Sequence, residues 1–74
     1  MIKKILDIIS AYVEAPRDSF DENTAIFDLG VDSLRMLKII IDVEEMFGVR
    51  FEDNEIVDIK TAYDIENFVL EKIQ

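Results

Sequence analysis

The sequence predicts an all-α fold, a small helical bundle of three main helices plus one short helical turn. Three observations predict it. Apolar residues recur at three- and four-residue spacing in three separate stretches. Helix punctuation falls at their borders, with Ala15-Pro16, Gly30-Val31-Asp32, Gly48 and Thr61. The one β-like run, Val49-Arg50-Phe51, has no second segment to pair with and reads as extended loop.

Residues 2–13 read as the first amphipathic helix. Ile2, Ile5, Leu6, Ile9, Tyr12 and Val13 share one face, with Ile8 as an extra apolar position. Lys3 and Lys4 ahead of an apolar run suggest a signal peptide, but Asp7 interrupts the run and no small-residue cleavage site follows. No segment is long enough to span a bilayer, so a soluble, cytoplasmic protein is expected. Pro16 disfavours helical geometry in Ala15 and ends the helix.

The connection from Arg17 to Asp32 is long for so small a chain, and Phe20, Ile26, Phe27 and Leu29 are expected to pin it to the core. Its carboxylates do not form an EF-hand. Counted from Asp21, the sixth residue is Ile26 and the twelfth Asp32, where a calcium loop needs glycine and glutamate. No metal site is predicted, although weak divalent binding by the clustered carboxylates stays open.

The second helix runs from Ser33 to Phe47. Its inner face is expected to be Leu34, Leu37, Ile40, Val43 and Phe47, with Ile39 and Ile41 beside it. Gly30 supplies a turn position free of Cβ clashes, Asp32 sits where an N-cap is wanted, and Gly48 closes the helix. Ser33 therefore lies on the first turn, next to solvent, at the positive end of the macrodipole. An anion attached to its hydroxyl is stabilised there. On the outer side, Arg35 and Lys38 come early and Asp42 and Glu45 late, an order that opposes the macrodipole. Two explanations stand side by side: drift at exposed positions worth about 0.2–0.5 kcal/mol each, or a face that partners read.

Glu52–Asp58 is acidic and holds one helical turn, with an Asp or Asn before Ile56-Val57 as its cap. Thr61 opens the last helix, with Asp64 completing a short capping box, and Ala62, Ile65, Phe68, Val69 and Ile73 form its apolar face. Leu37, Ile40, Ile56, Ile59, Ile65 and Val69 are expected to converge in an apolar seam between the second helix and the last two segments.

Seventy-four residues suit one small domain spanning 1–74. Eight basic residues against 17 acidic ones give a net charge of −9, which argues against nucleic acid and anionic membranes and favours basic protein surfaces. There is no cysteine and no histidine. Disulfides and thiolate metal sites are excluded, and the commonest general base is missing. A hydrolase serine needs Gly-x-Ser-x-Gly and a triad histidine, neither of which accompanies Ser33. The chain reads as a non-enzyme. Any thioester chemistry needs sulfur from an attached group.

The run Asp28-Leu29-Gly30-Val31-Asp32-Ser33-Leu34, with the amphipathic helix ending Val43-Glu44-Glu45-Met46-Phe47, resembles the acyl carrier protein family. The likeness covers nearly the whole chain. It implies that Ser33 carries a 4′-phosphopantetheine arm, attached from coenzyme A as a phosphodiester by a phosphopantetheinyl transferase. It further implies a monomeric carrier that tethers acyl intermediates as thioesters. The remaining partners would be a loading ligase and downstream synthases or transferases of fatty-acid, polyketide or related biosynthesis. The serine-bearing helix would be the partner-binding surface, formed by Asp32, Leu34, Arg35, Met36, Lys38, Ile41, Asp42 and Glu45, with Leu34, Met36 and Ile41 on its outer face. Fatty-acid carriers usually have an acidic residue after Asp-Ser-Leu and another a turn later, where this chain has Arg35 and Lys38. The Arg35 guanidinium is expected within reach of a phosphodiester on Ser33. Val31 replaces the second glycine common in peptidyl carriers, whereas Phe27 is similar to one of their aromatic pair. Aminoacyl or peptidyl cargo therefore stays open, as does an unmodified acidic helical adaptor.

Overall fold

The computed structural model describes residues 1–74. Four α-helices are joined by loops without strands: α1 (Ile2–Ser10), α2 (Ser33–Phe47), α3 (Asp53–Ile56) and α4 (Ala62–Lys72). Two 3-10 turns, Arg17–Ser19 and Ile26–Leu29, shape the long connection. α1 packs against both α2 and α4. Sixteen buried side chains form one cluster, all of them apolar, and Ile5, Ile9, Ile26, Ile39, Ile40, Ile59 and Ile65 are its largest fully buried members.

α1 ends three residues before the expected position 13. The amides of Ala11 and Tyr12 bond three residues back, to the carbonyls of Ile8 (3.1 Å) and Ile9 (2.9 Å), which tightens the last turn and closes the helix. Tyr12 and Val13 remain half-buried against the core. Tyr12 is also drawn across to α2, where its hydroxyl donates to the Asp42 carboxylate.

In the connection, Phe20 and Ile26 are buried and Leu29 is half-buried. Phe27 is not an anchor, being 49% exposed. Neighbours in a 3-10 turn point about 120° apart, so only one of Ile26 and Phe27 can face inward. Ile26 does, and its amide bonds the Lys60 carbonyl at 2.8 Å. Val31, at 4% exposure, takes the anchoring place expected of Phe27.

α2 has the expected bounds. Asp32 Oδ1 accepts the Arg35 amide at 2.8 Å, and Gly48 closes the helix at φ 66°. Its rotation differs from expectation. The buried face is Met36, Ile39, Ile40 and Val43, while Leu34 and Leu37 are 62% and 44% exposed and Phe47 is half-buried. Two stripes on this helix satisfy the three-and-four spacing, so periodicity alone does not choose between them.

α3 is capped by Glu52 instead of by an Asp or Asn, and the Glu55 carboxylate reaches back to the Glu52 amide at 2.7 Å. The α4 start follows expectation: Asp64 N–H donates to Thr61 Oγ1 (3.1 Å), and the Thr61 amide donates to Asp64 Oδ2 (3.1 Å). Ala62, Ile65 and Val69 are buried and Phe68 half-buried, but Ile73 lies past the helix end and is half exposed.

Two predictions come from these caps. Asp32→Ala leaves the Arg35 amide without its acceptor and lowers stability by about 1 kcal/mol, read as a lower urea midpoint at unchanged slope. Glu55 behaves differently, because its carboxyl is held below the ordinary range by the Glu52 amide first and then by Lys72. A depressed folded pKa gives stabilisation that is complete above the unfolded value and disappears as pH falls through the folded one. The melting-temperature deficit of Glu55→Gln is therefore expected in full at pH 7 and to shrink as pH drops below about 4.3.

Candidate functional site

The site is built by the chain turning from the second 3-10 turn into α2. Gly30 adopts φ 82°, with its amide on the Phe27 carbonyl at 3.3 Å. A side chain at that φ is strained even though a Cβ there meets no atom within 4 Å. Val31 then enters the core and Asp32 follows in extended geometry at φ −92°. Burying Val31 leaves the next two residues, Asp32 and Ser33, exposed.

Ser33 is the first residue of α2. Of the four amides left unpaired at this helix start, those of Asp32, Ser33, Leu34 and Arg35, that of Arg35 goes to the Asp32 side chain, while the Asp32 carbonyl accepts the first intrahelical bond, from Met36 at 2.9 Å. The amides of Ser33 and Leu34 keep no acceptor within the protein. An exposed primary hydroxyl thus stands beside two free N–H groups at the positive end of a fifteen-residue helix. This donor set fits a phosphate ester on the Ser33 oxygen.

A cleft of about 300 Å³ begins at the same serine, lined by Phe27, Ser33, Met36, Ile56, Val57 and Ile59. Phe27 and Val57 form its exposed rim, while Met36 and Ile59 are buried. Ile56 and Ile59 belong to the seam expected from the sequence. Leu37 does not, being on the outside, and Met36 takes its place. The expectation of Met36 as an outer-face contact is therefore corrected: it is 3% exposed. The signal was present in the sequence, since a residue three positions after Ser33 lies on nearly the same side of the helix.

The other residues of interest divide between two edges of α2. Leu34 and Ile41 are exposed apolar side chains, and Glu45 is exposed. Asp42 is half-buried and engaged by Tyr12. That hydrogen bond, followed by burial and the charge of Asp42, pushes the Tyr12 hydroxyl above its usual pKa. Arg35 Nη1 donates to the Tyr12 carbonyl at 3.2 Å. At 3.6 residues per turn, Arg35 and Lys38 point about 160° and 140° away from Ser33. The two cations face the end of α1, where they line a groove with Ala11, Tyr12, Val13 and Glu14. The expected reach of Arg35 to a phosphodiester on Ser33 is not what this arrangement builds. Tyr12 was missed as its partner because 23 residues separate them and no local pattern signals the contact.

No three carboxylates of the acidic loops come together in a group able to hold a metal ion. No helix is long and apolar enough to cross a membrane.

Residues 3–69 match the family described as the phosphopantetheine attachment site. The acyl carrier protein of Lactobacillus acidophilus is 34% identical over 70 residues, covering 93% of this chain and 88% of that protein. That of Acidothermus cellulolyticus is 35% identical over 69 residues, covering 93% and 75%. The crystal structure of an acyl carrier protein from Thermotoga maritima matches with a TM-score of 0.80 at 29% identity, over 97% of this chain and 85% of that one. With its helical bundle, its serine at a helix start and a match through almost its whole length, the chain belongs to the acyl carrier protein family, whose members bear covalent 4′-phosphopantetheine and are carriers, not enzymes.

Proposed function

We propose that Ser33 carries the 4′-phosphopantetheine arm, and that the protein is a cytoplasmic, monomeric carrier of acyl intermediates in fatty-acid, polyketide or related biosynthesis. The observation that carries this reading is the exposed Ser33 hydroxyl beside the free Ser33 and Leu34 amides, at the mouth of an apolar cleft. The group supplies a thiol, which a chain without cysteine lacks, and so the means to hold cargo as a thioester.

The chain's own residues do the rest. Asp32 fixes the helix start and keeps the Ser33 oxygen turned to solvent for the transferase. The Ser33 and Leu34 amides, which have no acceptor within the protein, would hold the phosphodiester oxygens. Leu34 and Ile41 offer apolar contact to partners, including a loading ligase and downstream synthase or transferase enzymes. Lys38, Asp42 and Glu45 set the charge of that surface, and Arg35 adds to it from its bond with Tyr12. The apolar lining of the cleft favours acyl over aminoacyl cargo, since a charged amine buried there would lack a partner.

Incubation with coenzyme A and a broad-specificity transferase is expected to add one phosphopantetheine mass to the wild type and none to Ser33→Ala, with helical circular dichroism unchanged. Modification that persists in Ser33→Ala overturns the assignment.

Partner choice is expected to follow Arg35 and Lys38. Like charges facing one another across an interface slow encounter and weaken docking. A malonyl transferase with a basic docking surface should load the pantetheinylated wild type poorly, and Arg35→Asp/Lys38→Glu about tenfold or more faster, with a changed salt dependence. Equal rates for the two proteins would show that this pair does not set partner choice.

A further inference from the structure

α3 is a weak element in an otherwise well-anchored fold. It has four residues and none of them is buried. A single turn does not hold its shape alone. The segment is fixed at both ends: Phe51 packs edge-on against Phe68, with centroids 5.9 Å apart at 73°, and Ile59 is buried in the core. Between those anchors the chain forms one wall of the cleft at Ser33, through Ile56 and Val57.

Besides the packing of half-buried Ile56 against the core, one hydrogen-bonded side-chain pair ties α3 to another element. Lys72, in the last turn of α4, donates to Glu55 Oε1 at 2.8 Å and Oε2 at 2.9 Å. Glu55 Oε1 also accepts the Glu52 amide that starts α3. The Lys72 ammonium lies 5.3 Å from the centre of the Phe51 ring, so the same cation touches the upstream anchor. Both side chains of the pair are only 21% exposed, which limits screening by water and makes the paired, charge-assisted bonds count. The lowered pKa of Glu55 agrees with a carboxylate held from two sides.

We propose that Lys72 is a positioning residue for carried acyl chains: through Glu55 it holds α3 against α4 and so sets how far the cleft beside Ser33 opens. The cargo part of this rests on the reading that Ser33 bears an acylated arm. Each methylene that enters the cleft gains from leaving water, but a chain longer than the resting cleft must push α3 outward. The outward step separates Glu55 from Lys72. Cleft length and ion-pair strength are thereby coupled, and the charge on one lysine biases the protein toward short chains.

The test compares wild type, Lys72→Met and Lys72→Arg by amide hydrogen exchange and by chemical shift. Methionine keeps the stem over Phe51 and removes the charge, whereas arginine restores it. In Lys72→Met, the amides of Ile56 and Val57, which bond the carbonyls of Glu52 and Asp53, are expected to exchange about tenfold faster relative to those of Ile39 and Ile40. In Lys72→Arg they are expected to return close to wild type. With butyryl or octanoyl cargo on the arm, the octanoyl-specific shifts at Met36, Ile59 and Ile65 are expected to grow in Lys72→Met and not in Lys72→Arg. Exchange that rises evenly over α1, α2 and α4, or stays unchanged at α3, overturns the tie. Octanoyl shifts equal in all three proteins overturn its effect on cargo. Failure to load any arm is a distinct result: it overturns the Ser33 reading and the cargo role together, while exchange still decides whether Lys72 holds α3.

Discussion

The burial of Val31 between a left-handed glycine and a capping aspartate is the constraint on which the site depends. Gly30 turns the chain, Val31 plugs into the core, and Asp32 locks the first turn of α2 through the Arg35 amide. The backbone leaving Val31 has one way to go, and Ser33 is delivered to the surface at the head of the helix. Rigid placement comes from the core and exposure from the cap. A serine two residues earlier would be buried, and one a few residues later would sit beyond the free amides.

α2 consequently works as three surfaces at once. Its inner stripe of Met36, Ile39, Ile40 and Val43 gives the core four side chains, as many as α1 gives. One flank carries Ser33 and opens to the cleft with α3. The other carries Arg35, Lys38 and Asp42, two of which are joined to Tyr12 by its carbonyl and its hydroxyl. The Ser33 flank and the cationic flank are thus kept apart by the helix itself.

What the sequence made legible were the features governed by local chemistry. Asp32, Gly48 and the Thr61–Asp64 pair mark helix ends through bonds made within four residues, so they are readable from the chain alone. The bounds of α2 and the position of Ser33 followed from them. The rotation of α2 was only partly legible: the expected face of Leu34, Leu37, Ile40, Val43 and Phe47 shares Ile40 and Val43 with the buried one, but spacing alone does not say whether Leu34 and Leu37 or Met36 and Ile39 complete it. The outer placement of Met36 came from the family resemblance. Phe27 was misplaced because size argued for burial, whereas the 3-10 turn permits only one inward residue and Ile26 occupies it. The two contacts of Tyr12 depend on residues 23 and 30 positions away.

The acidity of the chain also takes on a different meaning once the bonds are traced. A net charge of −9 suggests a surface meant for basic partners. Yet Asp21, Asp32, Glu44, Glu55 and Asp64 each accept backbone amides, from Asn23, Arg35, Phe51, Glu52, and from Lys60 and Thr61 respectively. A chain of this size has long loops, short helices and no buried polar group, so its unpaired amides lie near the surface and need acceptors there. Carboxylates fill that need with charge-assisted bonds stronger than those of a neutral side chain. Five of the 17 carboxylates thus close turns or start helices, and they keep their charge while doing so.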